Sequence, residues 1–186
     1  MEHNNKGFSL VELIVVMAVM AILISVGVRN LGVLDTYRTR ECKDKIESAL
    51  KNSKIDCLSK SKSNTSTAYT GAKGSAVTAD AYLEIKYENK SVYVTKYLPE
   101  KNGGPTTAGI SEKVSKGKNT VIKYKVNGAE ETLSDGETLT IGYNRSSGAF
   151  LPINAAGEYC EEIIIQAGTK TRTIHLETKT GKIASK

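Results

Sequence analysis

Two hydrophobic patterns divide the chain. From Leu13 to Val28 the sequence is apolar almost without interruption, and Phe8, Leu10 and Val11 extend the run upstream around a lone acid, Glu12. The span approaches the ~20 residues needed to cross ~30 Å of hydrocarbon. Only a helix satisfies the backbone of such a segment there. Beyond it, Cys42, Ile46, Ala49, Leu50, Ser53 and Cys57 fall at helical spacing, with Arg40, Lys43, Asp44, Glu47 and Lys51 mostly on the other side. This predicts that the helix continues, softened at Gly27 and Gly32, and that its second part lays one stripe of core residues on a sheet.

After Cys57 the period changes. Ser59 to Asp80 is rich in Ser, Thr, Gly and Lys and reads as a frayed helix end followed by a surface loop. Alternation of apolar and polar residues then predicts strands at Tyr82–Tyr87 and Ser91–Tyr97, joined through Glu88-Asn89-Lys90. Lys101 to Asn119 reads as a second loop. Thr120–Val126 is a strand turning at Asn127-Gly128, a strong hairpin signal, into a return strand near Glu130–Leu133. Further strands are predicted at Thr138–Tyr143, Ala149–Ile153, Glu162–Ala167 and Thr171–Glu177, with a last turn at Lys179–Lys182. The class is α+β: a long N-terminal helix packed on a C-terminal antiparallel β-sheet domain.

The first residues carry the most specific chemistry. A short polar leader ends in Lys6-Gly7, and Phe8-Ser9-Leu10-Val11-Glu12 leads into the apolar run. An ordinary secretory signal has a small-x-small cleavage site after its apolar core. Here the polar leader precedes the apolar segment, and Ser25-Val26-Gly27 makes a poor site. A carboxylate at the centre of a membrane helix costs roughly 2.5–3.5 kcal/mol on insertion scales. The plain alternative is that Glu12 lies one turn in and reaches water. The sharper one is that cleavage after Gly7 frees an amine on Phe8, which pairs with Glu12 within or between subunits, because buried charges tend to be paired.

The Gly7-Phe8 pair, the glutamate five positions after the glycine and the apolar helix behind it resemble the type IV pilin and pseudopilin family. The resemblance implies cleavage between Gly7 and Phe8 by a prepilin peptidase, N-methylation of Phe8 and guidance of assembly by Glu12. It implies residues 1–7 as leader, 8–28 as membrane and filament-core helix, 29–60 as its amphipathic continuation and 61–186 as an extracytoplasmic head. From Leu139 onward, the turn at Gly148, Ile163-Ile164-Ile165, the turn at Gly168, Thr173–Leu176 and Gly181-Lys182-Ile183 resemble more loosely the ends of H-type pseudopilins and FimT-like minor pilins. That likeness implies a minor subunit that starts or caps a fibre. Implied partners are other pilin or pseudopilin subunits, an assembly ATPase, a platform membrane protein and, before assembly, the lipid bilayer. Small Ala18, Ala21, Ser25 and Gly27 allow close helix approach in a filament core.

Composition changes this picture little. With 26 Lys and Arg against 20 Asp and Glu the chain is basic, and removal of the leader leaves the charge unchanged because Glu2 and Lys6 cancel. Lys6 precedes the apolar run while Arg29, Arg38, Arg40 and Lys43 follow it, so the positive-inside rule favours the opposite orientation. The leader type, through the resemblance, places the C-terminal domain outside. A basic surface with Lys179, Lys182 and Lys186 near its end suits DNA, the alternative function being a DNA-binding minor pilin of an uptake system; a solvated lysine-rich face is the simpler reading.

Three cysteines leave an odd count. Cys42 and Cys57 lie about 22 Å apart along a continuous helix at 1.5 Å per residue, beyond disulfide reach. Either could bond to Cys160, or all three could remain buried thiols. No Cys-x-x-Cys occurs and His175 stands alone in a strand pattern, so no metal or cofactor is expected. Asn64-Thr65-Ser66, Asn89-Lys90-Ser91 and Asn144-Arg145-Ser146 fit a glycosylation pattern that arises easily by chance, and Gly103-Gly104 lacks the ending of a phosphate loop. No nucleophile elbow, carboxylate pair or zinc spacing points to an enzyme.

Overall fold

The structure is a computed structural model that describes residues 9–60, 67–70, 76–79, 81–98, 107–115 and 120–185. It is α+β. Among the described residues, helix α1 (Leu10–Lys60) is followed by β1 (Thr67–Thr70), β2 (Ala76–Ala79), β3 (Tyr82–Glu88), β4 (Ser91–Leu98), β5 (Thr107–Ala108) and β6 (Glu112–Lys113). Then come β7 (Thr120–Val126), β8 (Ala129–Thr132), β9 (Thr138–Gly142), β10 (Cys160–Ala167), β11 (Lys170–Glu177) and β12 (Lys182–Ser185). The chain divides into two compact units, Met1–Leu34 and Asp35–Lys186.

In the second unit, α1 buries Thr39, Cys42, Ile46, Leu50, Ser53 and Cys57. Their spacing of three or four residues is one face of a helix. The opposite side carries i,i+4 ion pairs, Arg40–Asp44 at 3.8 Å, Lys43–Glu47 at 3.1 Å and Lys51–Glu47 at 2.6 Å. A five-stranded antiparallel sheet has the order β12-β11-β10-β7-β8. Another runs β5-β4-β3-β9, with β6 also on β4. Cys42, Ile46 and Leu50 of the helix share one core with Leu83, Ile85 and Val94 of the second sheet and Ile122, Ile163 and Ile174 of the first.

Local chemistry sets the register. Asn89 and Lys90 (φ 51° and 57°) and Asn127 and Gly128 (φ 49° and 77°) form two-residue turns with both φ values positive, whose twist matches the strands they join. In β7, Thr120, Ile122, Tyr124 and Val126 are buried and the residues between them half-buried. In β10 a bulge between Cys160 and Glu162 shifts the alternation, so that Cys160 and then Ile163, Ile165 and Ala167 all face inward. The opposite face of β3 and β4 carries a smaller cluster in which Tyr82 and Tyr97 stack at 4.4 Å beside Ala79 and Leu151.

The structure corrects the sequence expectations in five places. Among the described residues the single expected sheet is two five-stranded sheets and a hairpin. The loop expected over Ser59–Asp80 contains β1 and β2, paired antiparallel from Thr67↔Ala79 to Thr70↔Ala76. Short strands β5 and β6 lie in the loop expected over Lys101–Asn119. They are only two residues each and exist by pairing with β4, a long-range contact that leaves no local period. Ala149–Ile153 is not a strand: it makes one bridge, Tyr143↔Phe150, and its amides are taken by Thr178 O and Gly142 O. The turn near Lys179 instead leads into the edge strand β12, paired Glu177↔Lys182 to Ile174↔Ser185.

Candidate functional site: the first turn of the helix

Helix α1 starts at a reciprocal cap. The Glu12 amide donates to Ser9 Oγ at 3.2 Å, and the Ser9 amide donates to Glu12 Oε2 at 3.0 Å. Leu13 N closes the first backbone bond on Ser9 O at 3.2 Å. This is a capping box, in which a serine at the N-cap and a glutamate three residues later satisfy amides that a helix start leaves free. Glu12 also places a negative charge against the positive end of the helix dipole. Both side chains are exposed. The Ser-x-x-Glu spacing ahead of an apolar run was readable in the sequence, yet Ser9 did not stand out beside Gly7, Phe8 and Glu12. Gly7 and Phe8 lie outside the described residues.

Behind the cap the helix is apolar all round. Every large apolar side chain from Leu10 to Ile24 is 51–75% exposed. Leaving one such side chain in water rather than burying it forfeits roughly 1.5–3 kcal/mol. The only polar side chain in the stretch from Leu13 to Ser25 is Ser25 itself, whose hydroxyl donates back to Ile22 O at 2.9 Å and so needs no outside partner. Among the described residues no helix is long and apolar enough to cross a membrane.

The other residues singled out by sequence do not form a chemical site. The three thiols are free and buried in this structure, one of the two states that the sequence left open beside a possible bond from Cys160 to Cys42 or Cys57. Two of the sulfurs are engaged by nearby carbonyls: Cys57 Sγ lies 3.6 Å from Tyr143 O, and Cys160 Sγ lies 3.4 Å from Glu162 O across the bulge. Burial pushes the thiols of Cys42 and Cys160 up to about 12, which leaves no thiolate at neutral pH. Helix α1 is continuous through Cys42 and Cys57, which keeps those two apart. His175 is not alone: its Nδ1 sits 3.2 Å from Glu162 Oε1 across β10 and β11. Among the described residues no group of His, Cys, Asp or Glu could hold a metal ion. Lys179 is exposed in a turn, Lys182 starts β12, and Lys186 lies outside the described residues.

Residues 3–28 match the family model described as the prokaryotic N-terminal methylation motif, the signature of type IV pilins and pseudopilins. The matched segment contains Gly7, Phe8, Ser9 and Glu12. Proteins with this signature are structural, are processed by prepilin peptidase and assemble with other pilins. No curated protein and no solved structure matches the chain.

Proposed function

We propose that this chain is a prepilin-like structural subunit, minor rather than major, of a type IV pilus or a type II secretion pseudopilus. Residues 1–7 are the leader, removed between Gly7 and Phe8. Residues 8–28 hold the protein in the bilayer as a single span and later line the filament core. Residues 29–60 continue the helix, and residues 61–186 form an extracytoplasmic head. Phe8 is the methylated N-terminus. An assembly ATPase and a platform protein drive extraction from the membrane.

The observation that supports this reading most is the motif match over residues 3–28, joined to a helix start whose apolar side chains are exposed on every face. A globular protein has no use for such a face, whereas a bilayer or neighbouring helices of the same kind would cover it. Cleavage would place a new ammonium one residue before Ser9, whose amide already meets the Glu12 carboxylate. The acid is thereby poised at the chain start, satisfied locally before assembly and able to exchange that bond for a cation.

The reading is tested by Glu12→Gln. The variant keeps an acceptor for the Ser9 amide but loses the charge. It should be cleaved and inserted like the parent and fail to enter filaments. Assembly at the parental level would overturn the proposal.

A further inference from the structure

We propose that two copies of this chain meet end to end through the β10–β11 hairpin, the tip of one hairpin, with Lys170 and Arg172, entering an acidic hollow at the opposite end of the same hairpin in the next copy. Both poles belong to the unit Asp35–Lys186, so the contact does not depend on what covers residues 8–28. β10 and β11 pair in unbroken register from Glu162↔His175 to Ala167↔Lys170. The eight residues of β10 span about 24 Å at ~3.4 Å per residue. That length of paired strand holds the two poles apart within one chain.

At the closed end, Gly168 to Arg172 are exposed. Among the described residues neither Lys170 nor Arg172 has an ion-pair partner, in contrast to the paired Lys43, Lys45 and Lys51 of the helix. At the open end, a hollow of about 360 Å³ is lined by Glu161, Glu162, His175, Glu177, Lys182 and Ala184. Glu161 sits in the β10 bulge and accepts the Gly128 amide at 3.2 Å, a neutral donor that leaves its charge in place. Glu162 lies 3.2 Å from His175 Nδ1. With the imidazole neutral, three carboxylates against one lysine leave two negative charges in excess.

This excess matches the two free cations of the tip in size and is opposite in sign. A bare metal ion does not suit the hollow, since among the described residues no group of His, Cys, Asp or Glu could hold one. A long side chain ending in an ammonium or guanidinium does, because it takes charge-assisted hydrogen bonds from carboxylates that stand apart. Copies joined tip to tip or hollow to hollow would bring like charges together, which is costly, whereas tip to hollow brings opposites together. Such a contact is heterologous: each pair keeps one free tip and one free hollow, so it can repeat along a row of copies.

The test uses the full chain in detergent at about pH 8, which keeps imidazoles neutral. Thiols are introduced by Thr169→Cys at the tip or by Ala184→Cys beside the hollow, both exposed positions, while the native cysteines are buried. A short bismaleimide should join the tip variant to the hollow variant and neither variant to itself. The mixed product should fall about tenfold when the tip partner carries Lys170→Glu and Arg172→Glu, or when the hollow partner carries Glu161→Lys and Glu177→Lys. It should return to the parental level when both reversed partners are combined, which damage to either fold would not produce. It should also fall at about 1 M salt, where the screening length is about 3 Å. Self-joining of either variant as fast as the mixed pair, no loss on reversing the tip, no loss in salt, or no recovery on combining two folded reversed partners overturns the inference. Should the hollow reversal abolish the thermal transition, the tip reversal and the salt series still decide. None of these results bears on the pilus reading, which Glu12→Gln tests separately.

Discussion

The two ends of α1 share one backbone geometry and follow opposite burial rules. Between Leu10 and Ile24 the large apolar side chains are 51–75% exposed on all faces. Between Thr39 and Cys57 a single stripe is almost fully buried while charged pairs occupy the far side. A helix that serves one sheet needs one apolar face; a helix apolar all round must be enclosed. The buried stripe is also made of smaller residues, with Thr39, Cys42, Ser53 and Cys57 among it, as suits close packing in the core. The difference implies that the second stretch gets its burial from this chain, and the first stretch gets it from a bilayer or from other subunits.

The same substitution at the two sites should separate these roles most sharply. Ile46→Asp buries an unpaired carboxylate at a fully enclosed position and should cost more than about 4 kcal/mol, abolishing the cooperative thermal transition of the head by circular dichroism. Ile14→Asp should leave that transition intact in detergent. Its effect should instead be weaker membrane retention, by roughly 2.5–3.5 kcal/mol on insertion scales. Loss of head stability on changing Ile14 would break the comparison.

A smaller effect tests how the head grips its stretch of helix. Lys54 Nζ donates to Thr180 O and Gly181 O, both at 3.0 Å. A Cβ on Gly181 (φ 62°) would overlap the Gly148 carbonyl. Two glycine turns thus meet over Lys54, and Gly181→Ala should cost more than about 2 kcal/mol, read as a lower denaturant midpoint. Tyr143→Phe should cost about 1 kcal/mol in the same assay, because the buried hydroxyl donates to Leu50 O of the helix at 2.9 Å.

The smallest expected effect is electrostatic. The Glu47 carboxyl is held below its ordinary 4.5, first by the hydrogen bond from Lys51, against desolvation, and then by Lys43. A folded value below the unfolded one means that its contribution is complete above about pH 4.5 and is lost as pH falls through the lower folded value. Glu47→Gln should therefore lower the melting temperature slightly at neutral pH, and the gap to the parent should close in acid.

Much of this was legible in the sequence where local periodicity was strong. The helix, its buried stripe through Ile46 and Leu50, and the Asn127-Gly128 hairpin all follow from spacing and turn chemistry. Strands β5, β6 and β12 did not, since two to four residues carry no readable period and are defined by the partner they join. The β1–β2 hairpin was hidden by its Ser- and Gly-rich flanks, although Thr-Ala-Tyr-Thr and Ala-Val-Thr-Ala suit strands. At the site, Glu12 stood out as an acid in an apolar run, while its capping partner Ser9 was passed over. Cysteine count could not distinguish bonded from buried thiols, because pairing depends on how each sulfur is turned.

Processing, membrane anchoring and assembly all hinge on where the mature chain begins. Mass spectrometry of the N-terminal peptide from protein expressed in a host with a prepilin peptidase measures this directly. The predicted peptide starts at Phe8 and carries a methylated α-amine. A peptide that starts at Met1, or at any residue other than Phe8, would contradict it.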